Sequence, residues 1–172
     1  MPGISSGGSD NLTIVPKRRK KKVRTINDLK RGIILFMVFL GLSVVIHETF
    51  HLIVARALDY EANAFYGISF FNVYGYVNIT PTSKSLIHTL LIFSSGGLGT
   101  AAMFFVLWST IEDIIAKLLL SFFTFMQLSY GGLEPMYGIG IINFESLSIW
   151  PIIAGMVGLI IFRIIYWRLG WW

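Results

Sequence analysis

The chain of 172 residues contains no cysteine, only three histidines and only 13% charged residues. The absence of cysteine excludes disulfide bonds, thiolate metal ligands and cysteine nucleophiles. Soluble proteins carry roughly 25% charged residues, whereas 55% of this chain is hydrophobic. Because the apolar residues also gather in long runs, the composition predicts a single-domain integral membrane protein.

Positive charge is concentrated near the start of the chain. Nine of the fourteen Lys and Arg residues lie within residues 17–31, after a stretch rich in Gly and Ser. We expect residues 1–25 to form a disordered basic tail and residues 26–172 to form a polytopic membrane domain. A basic run is also typical of nucleic-acid binding. Beside a membrane helix it indicates a cytoplasmic segment that contacts anionic lipid, so we expect no nucleic-acid partner.

Four apolar segments predict membrane-spanning helices at residues 26–58, 85–108, 111–130 and 147–169. Each is close to the ~20 residues that cross the hydrocarbon core of a bilayer. Between the first two, residues 65–81 are aromatic and β-branched and are bounded by Gly, Asn and Pro, which predicts a β-hairpin-like segment. Its edge could pair with an extended peptide, and a packed interfacial loop is the alternative. The predicted fold is an all-α integral membrane protein with about four transmembrane helices and this short membrane-associated segment.

His47, Glu48 and His51 place two imidazoles and a carboxylate inside the first predicted helix. An ionisable residue at mid-bilayer costs at least ~2.5–3.5 kcal/mol, so its presence indicates a function. Residues four apart lie on nearly the same helix face, so both histidines can bind one metal ion. Glu48 lies about 100° further round the helix, where it can take a proton from metal-bound water. The spacing predicts a zinc site, and two histidines in a polar helix contact are the alternative.

A catalytic zinc ion usually has three protein ligands, and the candidates for the third are Glu134, Glu145 and His88. Glu134 is preferred because paired glycines and Pro135 surround it. These residues predict a helix break that lets the backbone bring a carboxylate inward. If Glu134 is the ligand, we interpret His88 as a histidine that makes a contact between helices. We then interpret Glu145 as a residue of a loop.

Two further polar positions occur in the predicted helices. Residues 94–102 are small apart from Leu98, which permits close helix packing and also access for a substrate. Thr100 in this segment can offer a hydroxyl to a developing oxyanion. Gln127, in the third helix, is interpreted as an interhelical contact.

These residues resemble the site-2 protease family of intramembrane zinc metalloproteases over roughly residues 33–140. The specific match is His-Glu-Thr-Phe-His at 47–51 within a membrane helix. The hairpin-like segment 65–80 is similar to the family's membrane-associated β-hairpin. Ser-Gly-Gly-Leu-Gly-Thr at 95–100 is similar to the family's Ala-Gly-Pro-Leu-x-Asn segment, and Leu-Glu-Pro at 133–135 is similar to its Leu-Asp-Gly metal motif. The last two are degenerate matches.

The resemblance implies a zinc metalloendopeptidase that hydrolyses peptide bonds in or near transmembrane segments of a membrane protein. It implies Zn2+ held by His47, His51 and Glu134, with Glu48 as general base and Thr100 assisting. Thr100 replaces the family's Asn, which weakens the case for a transition-state hydrogen bond. Glu134 and Pro135 replace the Asp and Gly of the family's metal motif, and this change, with the small size of the chain, favours the main alternative. That alternative is a catalytically silent scaffold or chaperone of the same fold that binds membrane helices.

Two other activities are weaker alternatives. A metal or proton transporter is disfavoured because few other ionisable groups lie within the predicted spans. A CaaX-type prenyl-protein protease also uses paired histidines and a glutamate, but this chain is short for it and lacks an obvious extended glutamate motif.

Charge and resemblance predict opposite orientations in the membrane. Four spans place both termini on one side, and twelve of the fourteen Lys and Arg residues lie on that side. The positive-inside rule therefore predicts cytoplasmic termini. His47 lies ~21 Å into the first apolar run at 1.5 Å per residue, which puts the zinc nearer the outer face. The resemblance implies a zinc nearer the cytosol, and we favour the orientation that the charges predict.

Overall fold

The computed structural model describes residues 26–69, 72–80 and 85–169. The predicted basic tail at residues 1–25 lies outside this part of the chain. The elements follow the order α1 (Ile26–Ala57), β1 (Glu61–Ser69), β2 (Asn72–Thr80), α2 (Leu86–Thr110), α3 (Ile114–Gly138) and α4 (Phe144–Arg168). All four helices are long and apolar enough to cross a membrane. The predicted fold class is confirmed: the protein has four candidate membrane-spanning helices and a small antiparallel sheet.

The strands form a two-stranded hairpin in which Glu61 pairs with Thr80 and Ser69 pairs with Asn72. The predicted hairpin is therefore confirmed, and it begins four residues earlier than its aromatic core suggested. Asp59 adopts a left-handed backbone conformation with φ 63°. This residue turns the chain sharply from the end of α1 into β1, so the hairpin folds back against the helix that carries the paired histidines.

Short polar side chains start three of the helices. Ser85, Asp113 and Asn143 each accept a hydrogen bond from the backbone N–H three residues further on. These contacts satisfy N–H groups that have no partner within the helix. The cap at Asn143 explains why α4 begins at Phe144 rather than at residue 147, where the apolar segment is expected to begin.

The predicted end of the third helix is wrong. We expected it over residues 111–130 with a break around Glu134, yet α3 continues to Gly138 and includes Pro135. A break at membrane depth leaves several backbone groups without partners, whereas a proline in a helix removes one N–H donor. The glycine before this site serves packing: a Cβ atom on Gly131 would lie 2.7 Å from Cγ of Leu98 on α2.

The helices do not pack equally. α1, α2 and α3 contact one another, both strands contact α1, and α4 contacts α3 alone among the described elements. One buried apolar cluster, with Phe39, Phe104 and Phe123, joins α1, α2 and α3. A second, with Ala55 and Ile92, lies beneath the hairpin. The paired histidines of α1 lie between these two clusters in sequence and are buried.

Candidate metal centre

Three side chains from two helices converge within the bundle. His47 and His51 project from the buried face of α1, and Glu134 projects from α3. Nε2 of His47 lies 2.9 Å from Oε1 of Glu134 and 3.0 Å from Nε2 of His51. One ligand atom from each residue lies within 4.8 Å of the others, so the group can hold a metal ion.

The chemistry of this group fits a bound cation. Oε2 of Glu134 is buried and makes no hydrogen bond within the described chain, although it lies 3.4 Å from Nε2 of His51. Buried carboxylate oxygens without partners are rare in folded proteins. The two Nε2 atoms also face each other, which is favourable only when a proton or a metal lies between lone pairs. Two imidazole nitrogens and a carboxylate are a donor set that suits zinc.

Both imidazoles are held through their other ring nitrogen. Nδ1 of His51 lies 2.6 Å from the backbone carbonyl of Ile92, and Nδ1 of His47 lies 2.7 Å from Oε1 of Gln127. Each oxygen accepts a hydrogen bond from the N–H group at Nδ1, so the Nε2 lone pair is directed towards the centre of the group. The sequence did not reveal this role of Gln127, which looked only like a polar contact between helices.

Glu48 lies beside the group rather than within it. It lines two cavities together with Glu134 and Gly75. A Cβ atom on Gly75 would lie 2.6 Å from Cγ of Glu48, so strand β2 passes directly against this side chain. This position of Glu48 agrees with the helix repeat, which turns each residue about 100° from the one before it, here His47.

Glycines on α2 make room for the imidazoles. A Cβ atom on Gly96 would lie 2.3 Å from Nε2 of His51 and 2.7 Å from Nε2 of His47. A Cβ atom on Gly97 would lie 2.1 Å from the backbone nitrogen of Gly131 on α3. The small residues predicted to permit close packing therefore do so, and Gly96 also shapes the centre itself.

Two cavities meet at the site. The larger has a volume of about 630 Å³ and extends between α1, β2, α3 and α4. The smaller has a volume of about 210 Å³ and extends towards the hairpin and the start of α2. The lining of the larger cavity is mostly apolar and aromatic and includes Phe36, Leu40, Val44, Tyr74, Phe122, Phe123, Phe144 and Ile152. An apolar chain segment can reach the carboxylate of Glu48 through it.

Three other candidate residues lie elsewhere. Nδ1 of His88 hydrogen-bonds the hydroxyl of Tyr60 at 2.9 Å, and Glu145 is exposed in the first turn of α4. Thr100 is fully buried, and its hydroxyl donates to the carbonyl of Gly96 at 2.7 Å. It lines neither of the two cavities beside Glu48. Its role in assisting an oxyanion stays a prediction.

No protein-family model, curated protein or solved structure matches this chain. The resemblance to the site-2 proteases therefore rests on the residues and motifs themselves.

Proposed function

We propose that this protein is an intramembrane zinc metalloendopeptidase of the site-2 protease type, which hydrolyses peptide bonds in or near transmembrane segments. The observation that carries the proposal is the convergence of His47, His51 and Glu134 beside Glu48, at the junction of two cavities. Helices that only anchor a protein in lipid have no need of four ionisable side chains gathered at one place within the bundle.

The residues divide the chemistry between them. The two imidazoles and Glu134 would hold the metal, and zinc bound there would polarise the scissile carbonyl and allow a water molecule to ionise near neutral pH. Glu48 accepts the proton from the attacking water and delivers it to the leaving amine. Its place at the cavity wall, outside the ligand group, leaves its carboxylate available for this transfer.

The substrate we propose is a membrane-embedded peptide segment in an unwound form. In a helix each carbonyl is hydrogen-bonded and enclosed, so an attacking water cannot approach it. The larger cavity has a volume within the ~300–1,000 Å³ range of ligand sites, and its apolar lining suits the side chains of a transmembrane segment.

A second candidate function is a helix-binding scaffold of the same fold without catalysis. It is favoured by Thr100, whose hydroxyl is engaged by Gly96 within its own helix. A protease built in this way relies on the metal alone to stabilise the oxyanion. Glu48 beside the ligand group argues for catalysis, because a scaffold has no use for a general base at that place.

Loss of the general base separates the two functions. The full-length protein is reconstituted in liposomes with zinc and a panel of transmembrane peptides, and cleavage is followed by mass spectrometry. We expect cleavage by the wild-type protein and none above background by Glu48→Gln, with the same zinc content in both, because glutamine is nearly isosteric but cannot accept the proton. Glu145→Gln is the matched control, since Glu145 is an exposed glutamate of α4, and it should cleave normally.

The outcomes are distinct. Equal cleavage by the wild type and Glu48→Gln would overturn the mechanism. Zinc binding with no cleavage of any peptide by the wild type, combined with peptide binding, would favour the scaffold. Loss of zinc in Glu48→Gln would mean that Glu48 is a ligand rather than a base.

We further propose that the protein places both termini in the cytoplasm and the metal site nearer the opposite face. Arg31 pairs with Asp113 at 2.8 Å, which puts the start of α1 and the α2–α3 turn at one end of the bundle. The chain lacks cysteine, so single cysteines at Glu112 and Asn143 report the two faces. A membrane-impermeant maleimide added outside intact cells should label Asn143→Cys and not Glu112→Cys. The reverse pattern would restore the orientation that the resemblance implies.

A further inference from the structure

Gln127 joins α3 to the histidine face of α1 through both ends of its carboxamide. Its Oε1 lies 2.7 Å from Nδ1 of His47, and its Nε2 donates to the hydroxyl of Ser43. All three side chains are buried, with Gln127 3% and Ser43 1% exposed. Ser43 and His47 are one helical turn apart on α1, so a single amide spans two successive residues of the same face.

The direction of these two hydrogen bonds determines which nitrogen of His47 faces the centre. With its nitrogen towards Ser43, the amide presents oxygen to His47, and an oxygen can only accept. Nδ1 of His47 must then carry the ring proton, which leaves the lone pair on Nε2. A metal ligand needs that lone pair, and Nε2 is the atom beside Glu134.

The two histidines of the centre differ in how this is achieved. Nδ1 of His51 is held by a backbone carbonyl, that of Ile92, which no substitution removes. Nδ1 of His47 is held by a side chain. A substitution of Gln127 therefore removes the hydrogen-bond acceptor of His47, whereas a substitution of Ile92 leaves the carbonyl that holds His51 in place.

We propose that Gln127, whose amide nitrogen donates to Ser43, is a positioning residue that fixes the tautomer and ring orientation of His47 for metal binding. This inference rests on the metal site of the proposed function and adds to it a residue outside the ligand group. Hydrogen-bond partners of ligating histidines typically change metal affinity 10–100-fold when they are removed. An ordinary helix contact would affect the stability of the bundle and leave the affinity for metal unchanged.

The test measures the zinc dissociation constant of purified full-length protein in detergent by competition with a chelator. Gln127→Leu keeps the volume but removes the acceptor, and we expect about 10–100-fold weaker zinc binding. Gln127→Glu keeps an acceptor oxygen at the same reach, and we expect zinc binding at least as tight as in the wild type. Ser121→Ala is the control, because Ser121 is another buried polar residue of α3 and its backbone lies against Gly158 of α4.

Thermal unfolding of the wild type and of each variant is also measured without zinc, so that a loss of zinc affinity can be distinguished from a loss of packing within the bundle. If Gln127→Leu and Ser121→Ala both bind zinc as the wild type does, the inference is overturned while the metal site stands. If Gln127→Leu does not fold, the zinc affinity of Gln127→Glu provides the test. Zinc binding tenfold weaker than that of the wild type in this variant would overturn the inference. If the wild type binds no zinc, the proposed function itself fails, and the inference fails with it.

Discussion

Two parts of the molecule border the same cavity but are built in different ways. In the inner part, α1 to α3, the backbones of α2 and α3 meet at Gly97 and Gly131, and Gly96 on α2 meets the imidazoles of α1. The outer wall is formed by α4, which among the described elements contacts α3 alone, and by the hairpin, whose strands contact each other and α1. His47, His51 and Glu134, the group that can hold a metal ion, all lie on the inner part. We therefore expect changes in the inner part to alter stability or metal binding. Changes to the cavity-lining side chains of α4, away from the glycines at which α4 packs against α3, should alter substrate handling alone.

The largest effect is expected where the backbones of α2 and α3 meet. In Gly97→Ala, the new Cβ would lie 2.1 Å from the backbone nitrogen of Gly131, so the helices must separate. We expect the free energy of unfolding to fall by about 3 kcal/mol or more, at the upper end of overpacking effects. The measurement is equilibrium unfolding in mixed detergent micelles.

Gly132→Ala is the matched control on α3, because a Cβ atom there would meet nothing within 4 Å. It should be neutral or stabilise by up to about 1 kcal/mol through helix propensity. Equal unfolding free energies for the two variants would contradict the close contact between α2 and α3.

The next effect concerns the metal rather than the fold. In Gly96→Ala, the added methyl group would lie 2.3 Å from Nε2 of His51 and must push the imidazoles apart. We expect zinc binding to weaken by on the order of 100-fold, beyond the effect of losing one hydrogen bond to a ligand. Gly41→Ala on α1, where a Cβ meets nothing within 4 Å, should bind zinc normally. Wild-type affinity in Gly96→Ala would show that the imidazoles do not converge beside α2.

The parts of the fold and of the candidate site that could be predicted from the sequence are those that depend on residues close together in the chain. His47 and His51 share a face because the helix repeat requires it. In the outer wall, the aromatic and β-branched composition that predicts the hairpin is likewise a local feature. The sequence predicts Glu134 as the third ligand, and the structure places it beside the histidines, but the helix break on which that prediction rests is absent from α3. Which helix faces meet is decided by tertiary packing, so the contacts of Gln127 and Gly96 with the histidines could not be read from spacing.

A change in the outer wall should separate substrate handling from metal binding. Ile152 of α4 lines the larger cavity, and Ile152→Trp places a larger side chain there. We expect kcat/KM for a transmembrane peptide to fall on the order of tenfold, about 1.4 kcal/mol of transition-state binding, with unchanged zinc content. Ile153→Trp on the same helix, outside the cavity lining, should cleave as the wild type does. Loss of zinc in Ile152→Trp would mean that α4 helps to set the ligand geometry.

The smallest effects are expected at the exposed end of the inner part. Arg31 pairs with Asp113 at 2.8 Å, and more than half of the Arg31 side chain is exposed, so Arg31→Ala should cost less than about 1 kcal/mol. Asp113 also caps α3 by accepting from the backbone nitrogen of Ala116. Asp113→Ala should therefore cost about 1 kcal/mol more than Arg31→Ala. Equal unfolding free energies for the two variants would show that the cap contributes nothing.

The proposed metal centre depends most directly on Glu134, the candidate ligand that α3 brings to the histidines of α1. Elemental analysis of purified full-length protein measures zinc per chain in the wild type, in Glu134→Ala and in Glu145→Ala. We predict one zinc ion per chain in the wild type and in Glu145→Ala, and a loss of most of the bound zinc in Glu134→Ala, because two imidazoles alone leave the ion short of ligands. The same zinc content in Glu134→Ala as in the wild type, or no zinc in any of the three proteins, would contradict the metal centre described above.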